Sequence, residues 1–141
     1  MFDKTYEDRL VSWSAFRASL EKSKDPIQDV IDCYNQAPTV SIHIDPWDQK
    51  SWPDPWQLIL ENQYCDFARV LGMCHSLQLT DCFNQSSFEI HITTDYKESA
   101  SYYILIVDKY VIGYYNNSYT AIDNLPDSLV AQKIYIMPHR Q

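Results

Sequence analysis

The sequence predicts an α+β domain, with N-terminal helices and a cysteine-bearing helix packed on an antiparallel sheet of about four strands. Three observations carry this expectation. Helix-period apolar spacing dominates up to about residue 79, and strand-like runs follow from residue 88. Helices first and strands afterwards is the order of an α+β architecture with the helices on one sheet face. The third observation is size: 141 residues, 45% of them hydrophobic, suffice for one well-filled core. No repeat, low-complexity tract or linker divides the chain, so residues 1–141 are read as a single domain.

Residues 8–22 place Leu10, Val11, Trp13, Ala15, Phe16 and Leu20 mostly at three- and four-residue steps, the pattern of an amphipathic helix. Ser23, Lys24 and Asp25 break it. Asp25-Pro26 is an N-cap followed by proline at the first helical position, and a second helix runs to about Tyr34. Residues 1–38 are thus a helical N-terminal part. Val40, Ile42 and Ile44 alternate as a short strand.

From Asp45 to Trp56 the chain holds three prolines and three tryptophans. Proline forbids a continuous helix or a central strand there, so an ordered loop is expected. Its tryptophans, Trp47, Trp52 and Trp56, pin it to the body or present it to a partner. Asp54-Pro55 repeats the cap signal and starts a short helix to about Glu61. Residues 65–79 form the clearest helix, with Phe67, Val70, Leu71, Cys74 and Leu77 on one stripe. Strands are expected over 88–94, 102–107, 110–115 and 133–137, with Asp108-Lys109 as the tight connection between the second and third.

Composition excludes several functions. The net charge of −8 opposes nucleic acid as a main partner, because phosphate binding needs a basic surface. Only two glycines, Gly72 and Gly113, leave no glycine-rich cradle for a nucleotide. No apolar run approaches the roughly 20 residues of a membrane span. The charged N-terminus lacks a signal-peptide core, and four cysteines are too few for a disulfide scaffold. The expectation is a soluble protein with free thiols, cytoplasmic or carried in a virion, with no cofactor. Cys65, Cys74, His75, Cys82 and His91 fit no zinc spacing, so no metal is expected either. An acidic mimic of nucleic acid is set aside because the charge is evenly spread.

Chemistry centres on Cys65. A cysteine at a helix start meets partial positive charge and unpaired N–H groups that favour thiolate. His91, on the following strand, is the candidate base, and Asp108 the candidate acid to orient it. Cys33, Cys74 and Cys82 read as packing residues. The run Trp52-Pro53-Asp54-Pro55-Trp56-Gln57-Leu58-Ile59, then Tyr64-Cys65-Asp66-Phe67-Ala68-Arg69-Val70-Leu71-Gly72, resembles the cysteine-helix motif of transglutaminase-like (papain-like) cysteine peptidases. The resemblance covers residues 52–116 and implies Cys65 as nucleophile, His91 as base and Asp108 as orienter. The pattern departs from the family in two places. Asn62, Gln63 and Tyr64 stand where such enzymes carry glycines, and Asp108 belongs to a turn, leaving Asn116 as another residue able to orient a histidine.

Two function classes follow. The first is a structural and interaction protein with protein partners in an assembly. The tyrosine-rich strands, the proline–tryptophan loop and the eroded catalytic pattern favour it. The N-terminal stretch with Trp13, Phe16 and Arg17 before Asp25-Pro26-Ile27 resembles small phage-encoded proteins, which implies a tailed-phage component of tail, neck or baseplate. The alternative is an active cysteine hydrolase or acyltransferase forming an acyl-enzyme at Cys65.

Overall fold

Helix starts in this chain are set by local chemistry. In the computed structural model, which describes residues 1–139, Asp25 accepts from the Gln28 amide at 3.2 Å and begins α2 (Pro26–Tyr34). Asp54 and Gln57 form a reciprocal capping box at the start of α3 (Pro55–Glu61), satisfying two of the amide donors that a helix leaves open. Thr5 caps α1 (Tyr6–Leu20). The fourth helix, α4 (Asp66–Gln78), starts from Cys65 without any side-chain cap. A left-handed Asn62 (φ 52°) ends α3 and turns the chain toward it.

Five strands are described: β1 (Phe88–Asp95), β2 (Ala100–Val107), β3 (Tyr110–Ile112), β4 (Thr120–Ala121) and β5 (Leu129–Met137). They form one sheet in the order β4-β3-β2-β1-β5, antiparallel throughout. The α+β class is therefore as the sequence indicates, with one strand more than about four. The added strand, β4, is two residues long and has no periodicity to read. The third strand stops at Ile112 rather than Tyr115. Gly113, at φ 104°, passes so close to Tyr103 that a Cβ there would collide with its carbonyl oxygen, and the chain leaves the sheet.

The alternation 40–44 does not become a strand. The residue before it, Thr39, makes one isolated parallel bridge to Tyr64, and Val40 donates its amide to the Tyr64 carbonyl at 3.3 Å. Ile44 is buried while Ile42 is exposed, so the spacing reflects one anchor in a loop. Conversely β5 begins at Leu129, four residues before the expected start.

The sheet has two distinct faces. Ile90, Ile92, Leu105, Val107 and Ile112 point to the inner face, where they join the core under α2 and α4. Ile104, Ile106 and Val111 point to the outer face and form a separate small cluster. Tyr102, Tyr114, Leu125 and Leu129 pack on that cluster, from β2, the segment after β3 and the start of β5. No described helix is long and apolar enough to cross a membrane.

Candidate functional site

Cys65 sits where the sequence places it, at the first residue before α4, in extended backbone (φ −72°, ψ 173°). Its carbonyl accepts from the Arg69 amide at 3.1 Å. Its thiol makes no capping bond, and the residue is 3% exposed, within the inner core. The nearby phenol is Tyr103 on β2. Burial, and then the neighbouring Cys65, Asp66 and Asp45, push that phenol above its ordinary range.

His91 lies on the other side of the sheet. It pairs with Ile104 of β2 and Ile134 of β5, and Ile104 belongs to the outer cluster. Directly opposed residues in an antiparallel pair share a face, so His91 faces outward with Ile104. Its Nε2 meets Glu89 Oε1 at 2.7 Å, two residues away on the same face. Cys65 is therefore on the inner side and His91 on the outer side, with the sheet between them. The expected nucleophile–base pair is not brought together, because a strand sends successive side chains to opposite faces.

Asp108 is elsewhere again. It occupies the turn after β2 with φ 55°, and its carboxylate accepts from the Ser87 amide at 2.9 Å, while its own amide donates to the Ser87 carbonyl at 3.0 Å. Its partner, Ser87, is the residue just before β1 and lies four residues before His91. Asn116 does not serve His91 either. Its carbonyl accepts from Asn35 on α2 at 3.1 Å, and it lines a cleft on the helix side.

That cleft, about 320 Å³, runs between α2, α4 and the end of β3, with Asp66, Arg69, Tyr103 and Asn116 among its lining. Arg69 is not a free cation there. Its guanidinium donates to the Tyr34 carbonyl at 2.6 Å, the Ala37 carbonyl at 2.9 Å and the Thr39 hydroxyl, locking the chain between α2 and α3 onto α4. Among the described residues no group of three or more His, Cys, Asp or Glu side chains is placed to hold a metal ion, and none of the four cysteines is in a disulfide.

The tryptophan loop divides its labour. Trp52 is an anchor: its ring packs on Phe67 at 4.9 Å and Tyr135 at 4.7 Å, and its Nε1 donates to the Asp45 carbonyl at 3.1 Å. Trp47 and Trp56 are 58% and 47% exposed. Trp56 meets Trp13 edge-on at 6.1 Å, and Leu60, one turn further along α3, is also exposed. A second outward apolar set, missed from sequence, is Ile134 and Ile136 on β5. Its signal was available: Lys133 to Met137 has apolar residues on both strand faces, more than one core can bury. Compared with known proteins, the chain matches no family model, no curated protein and no solved structure.

Proposed function

We propose that the chain is a structural and interaction protein, a component of a larger assembly such as a tailed-phage virion. In this reading a degenerate transglutaminase-like arrangement keeps its packing role without the chemistry. One observation carries it: the sheet stands between Cys65 and His91, so the histidine expected as its base does not reach the thiol. Cys65 instead contributes a small apolar side chain to the inner core, the common role of a buried cysteine.

Large apolar side chains turned to solvent support a binding role. Trp47, Trp56 and Leu60 present amphipathic and apolar area beside the proline-rich loop, the residue types enriched at protein contacts. The net charge of −8 favours a partner of basic surface.

Alkylation of the native protein with iodoacetamide, read by mass spectrometry, tests the reading. Cys82 is exposed and labels first. Cys33 labels slowly, its thiol pushed up to about 11 by burial. Cys65 and Cys74 are buried and label only on unfolding. Fast, selective labelling of Cys65 in the folded protein would overturn the proposal and restore the nucleophile.

A further inference from the structure

The cleft between α2, α4 and the end of β3 has walls that are held in place. Gly113, at φ 104°, turns the chain out of the sheet, and three hydrogen bonds from α2 fix the residues that follow as the far wall. Gln28 Nε2 donates to the Asn117 carbonyl at 2.8 Å. Asn35 Nδ2 donates to the Asn116 carbonyl at 3.1 Å and to Asn117 Oδ1 at 3.0 Å. The buried Ile31, Val70, Met73 and Ile112 form an apolar floor. Tyr103 and Tyr115 add aromatic area, the first packed edge-on to Phe67 at 5.4 Å and the second 49% exposed. A space of about 320 Å³ suits a small ligand or a single long side chain.

Two charged residues line the cleft, Asp66 and Arg69, and only the acid is uncommitted. Arg69 gives its guanidinium to the Tyr34 and Ala37 carbonyls and the Thr39 hydroxyl. Asp66 is exposed at the rim, and among the described residues its carboxylate has no hydrogen bond or ion pair. Its charge is felt on the aromatic wall: after burial, Cys65, Asp66 and Asp45 push the Tyr103 phenol up. An anion would meet Asp66 and find the arginine engaged. We propose that the cleft binds a guanidinium on an apolar stem, with the cation against Asp66 beside the tyrosine rings and the stem over the apolar floor. Guanidinium fits this lining better than ammonium does. It is planar, so it stacks on a tyrosine face while offering two donors to one carboxylate. It is also more weakly hydrated, so a half-enclosed site with a single carboxylate costs it less water. The group arrives either free, as an alkylguanidine, or as the arginine side chain of another protein.

This site goes beyond the proposed function and does not depend on the tryptophan surface. The test is a titration of the isotope-labelled full chain, followed by its amide shifts in NMR at fixed pH and low salt. The probes are butylguanidine, butylamine, butyrate and a capped glycyl-arginyl-glycine peptide. Butylguanidine moves the amides of cleft residues such as Val70 and Tyr103, with a Kd of about 1 mM or tighter. Butylamine binds there more weakly, and butyrate leaves those amides in place. Asp66→Asn keeps the shape of the cleft and weakens butylguanidine about three- to fivefold. Glu7→Gln, the same change at an exposed position on α1, has no effect, which separates the site from general attraction to an acidic surface. Tyr115→Leu weakens binding about twofold, whereas Tyr115→Phe does not. A peptide that binds as tightly as butylguanidine, or more tightly, assigns the cleft to a partner's arginine; a weaker one assigns it to a free guanidine. The proposal is overturned if butylguanidine leaves the cleft amides unmoved, or if butylamine or butyrate binds there as well as it does. It is also overturned if Asp66→Asn weakens binding no more than Glu7→Gln.

Discussion

Trp13 Nε1 donates to Ser76 Oγ at 3.0 Å, tying the first helix to the fourth inside the core. The same oxygen shares a 3.0 Å bond with the Tyr34 hydroxyl and donates to the Gly72 carbonyl at 2.9 Å. A serine hydroxyl has one proton and two lone pairs, and all three are engaged here. Three helices therefore meet on one atom of a fully buried side chain. Removing it strands an indole N–H and a phenol O–H away from water. Ser76→Ala is expected to lower stability by about 2–4 kcal/mol, seen as a shifted urea midpoint with an unchanged slope. In a Trp13→Phe background the same change should cost less, because one of the stranded donors is already gone.

Gly72 shows a different dependence in the same place. A Cβ on this residue would press into the Tyr34 ring, within contact distance of three of its carbons. Tyr34 is fully buried and held by Ser76, so its ring cannot swing aside cheaply. Alanine gains about 1 kcal/mol of helix propensity over glycine, while overpacking a filled core costs about 1–3 kcal/mol. The clash should win, and Gly72→Ala should melt at a lower temperature than wild type. A rise in melting temperature would mean that the ring relaxes.

How much of this was legible in the sequence depends on the range of the signal. Asp25-Pro26 and Asp54-Pro55 announce two helix starts because capping is decided within four residues. The inner stripe of α4 was legible for the same reason. Val40 to Ile44 misled, because a strand needs a partner and local alternation does not supply one. The separation of Cys65 from His91 was within reach: Phe88, Ile90 and Ile92 alternate with Glu89 and His91, so the histidine is out of phase with the core-facing residues. What could not be read was which face the helices would cover. β4 and the free edge of β5 depend on the order of strands, which no local pattern carries.

Asp108 is expected to act through the turn alone. Its φ of 55° favours Asn, Asp or Gly, and its carboxylate satisfies the Ser87 amide. Asp108→Asn keeps the conformation and an acceptor, and should be close to neutral. Asp108→Gly keeps the conformation but loses the acceptor, costing about 1 kcal/mol. Asp108→Ala loses the acceptor and is strained as well, costing about 2 kcal/mol. Chemical denaturation of the three variants in that order checks the argument, and a rank order with Asn worst would contradict it.

Stability should fall at both ends of the pH range, for opposite reasons. At the acid end, Asp95 is held below its ordinary value by a hydrogen bond from the Ser128 side chain and by the Glu98 and Lys97 amides. Glu21 is lowered by Cys82, through side chain and amide, and by the Asp81 amide. Both carboxyls bind a proton more weakly folded than unfolded. Their contribution is complete above the unfolded value of about 4 and is lost as the pH falls through the lower folded values. At the alkaline end burial raises Tyr34, Tyr64 and Cys33, the last to about 11. These groups are neutral when folded, so stability holds below the unfolded values of about 8.5–10 and is lost as the pH rises through the folded ones. Asp95→Asn keeps the acceptor but removes the titration, and should flatten the acid limb of melting temperature against pH while leaving the alkaline limb unchanged. Tyr64 is the alkaline counterpart, since its hydroxyl is buried without a hydrogen-bond partner. Tyr64→Phe should cost little at neutral pH and should shift the onset of alkaline unfolding upward. An acid limb that stays steep in Asp95→Asn, or an alkaline onset unmoved by Tyr64→Phe, would mean that other groups control the two ends.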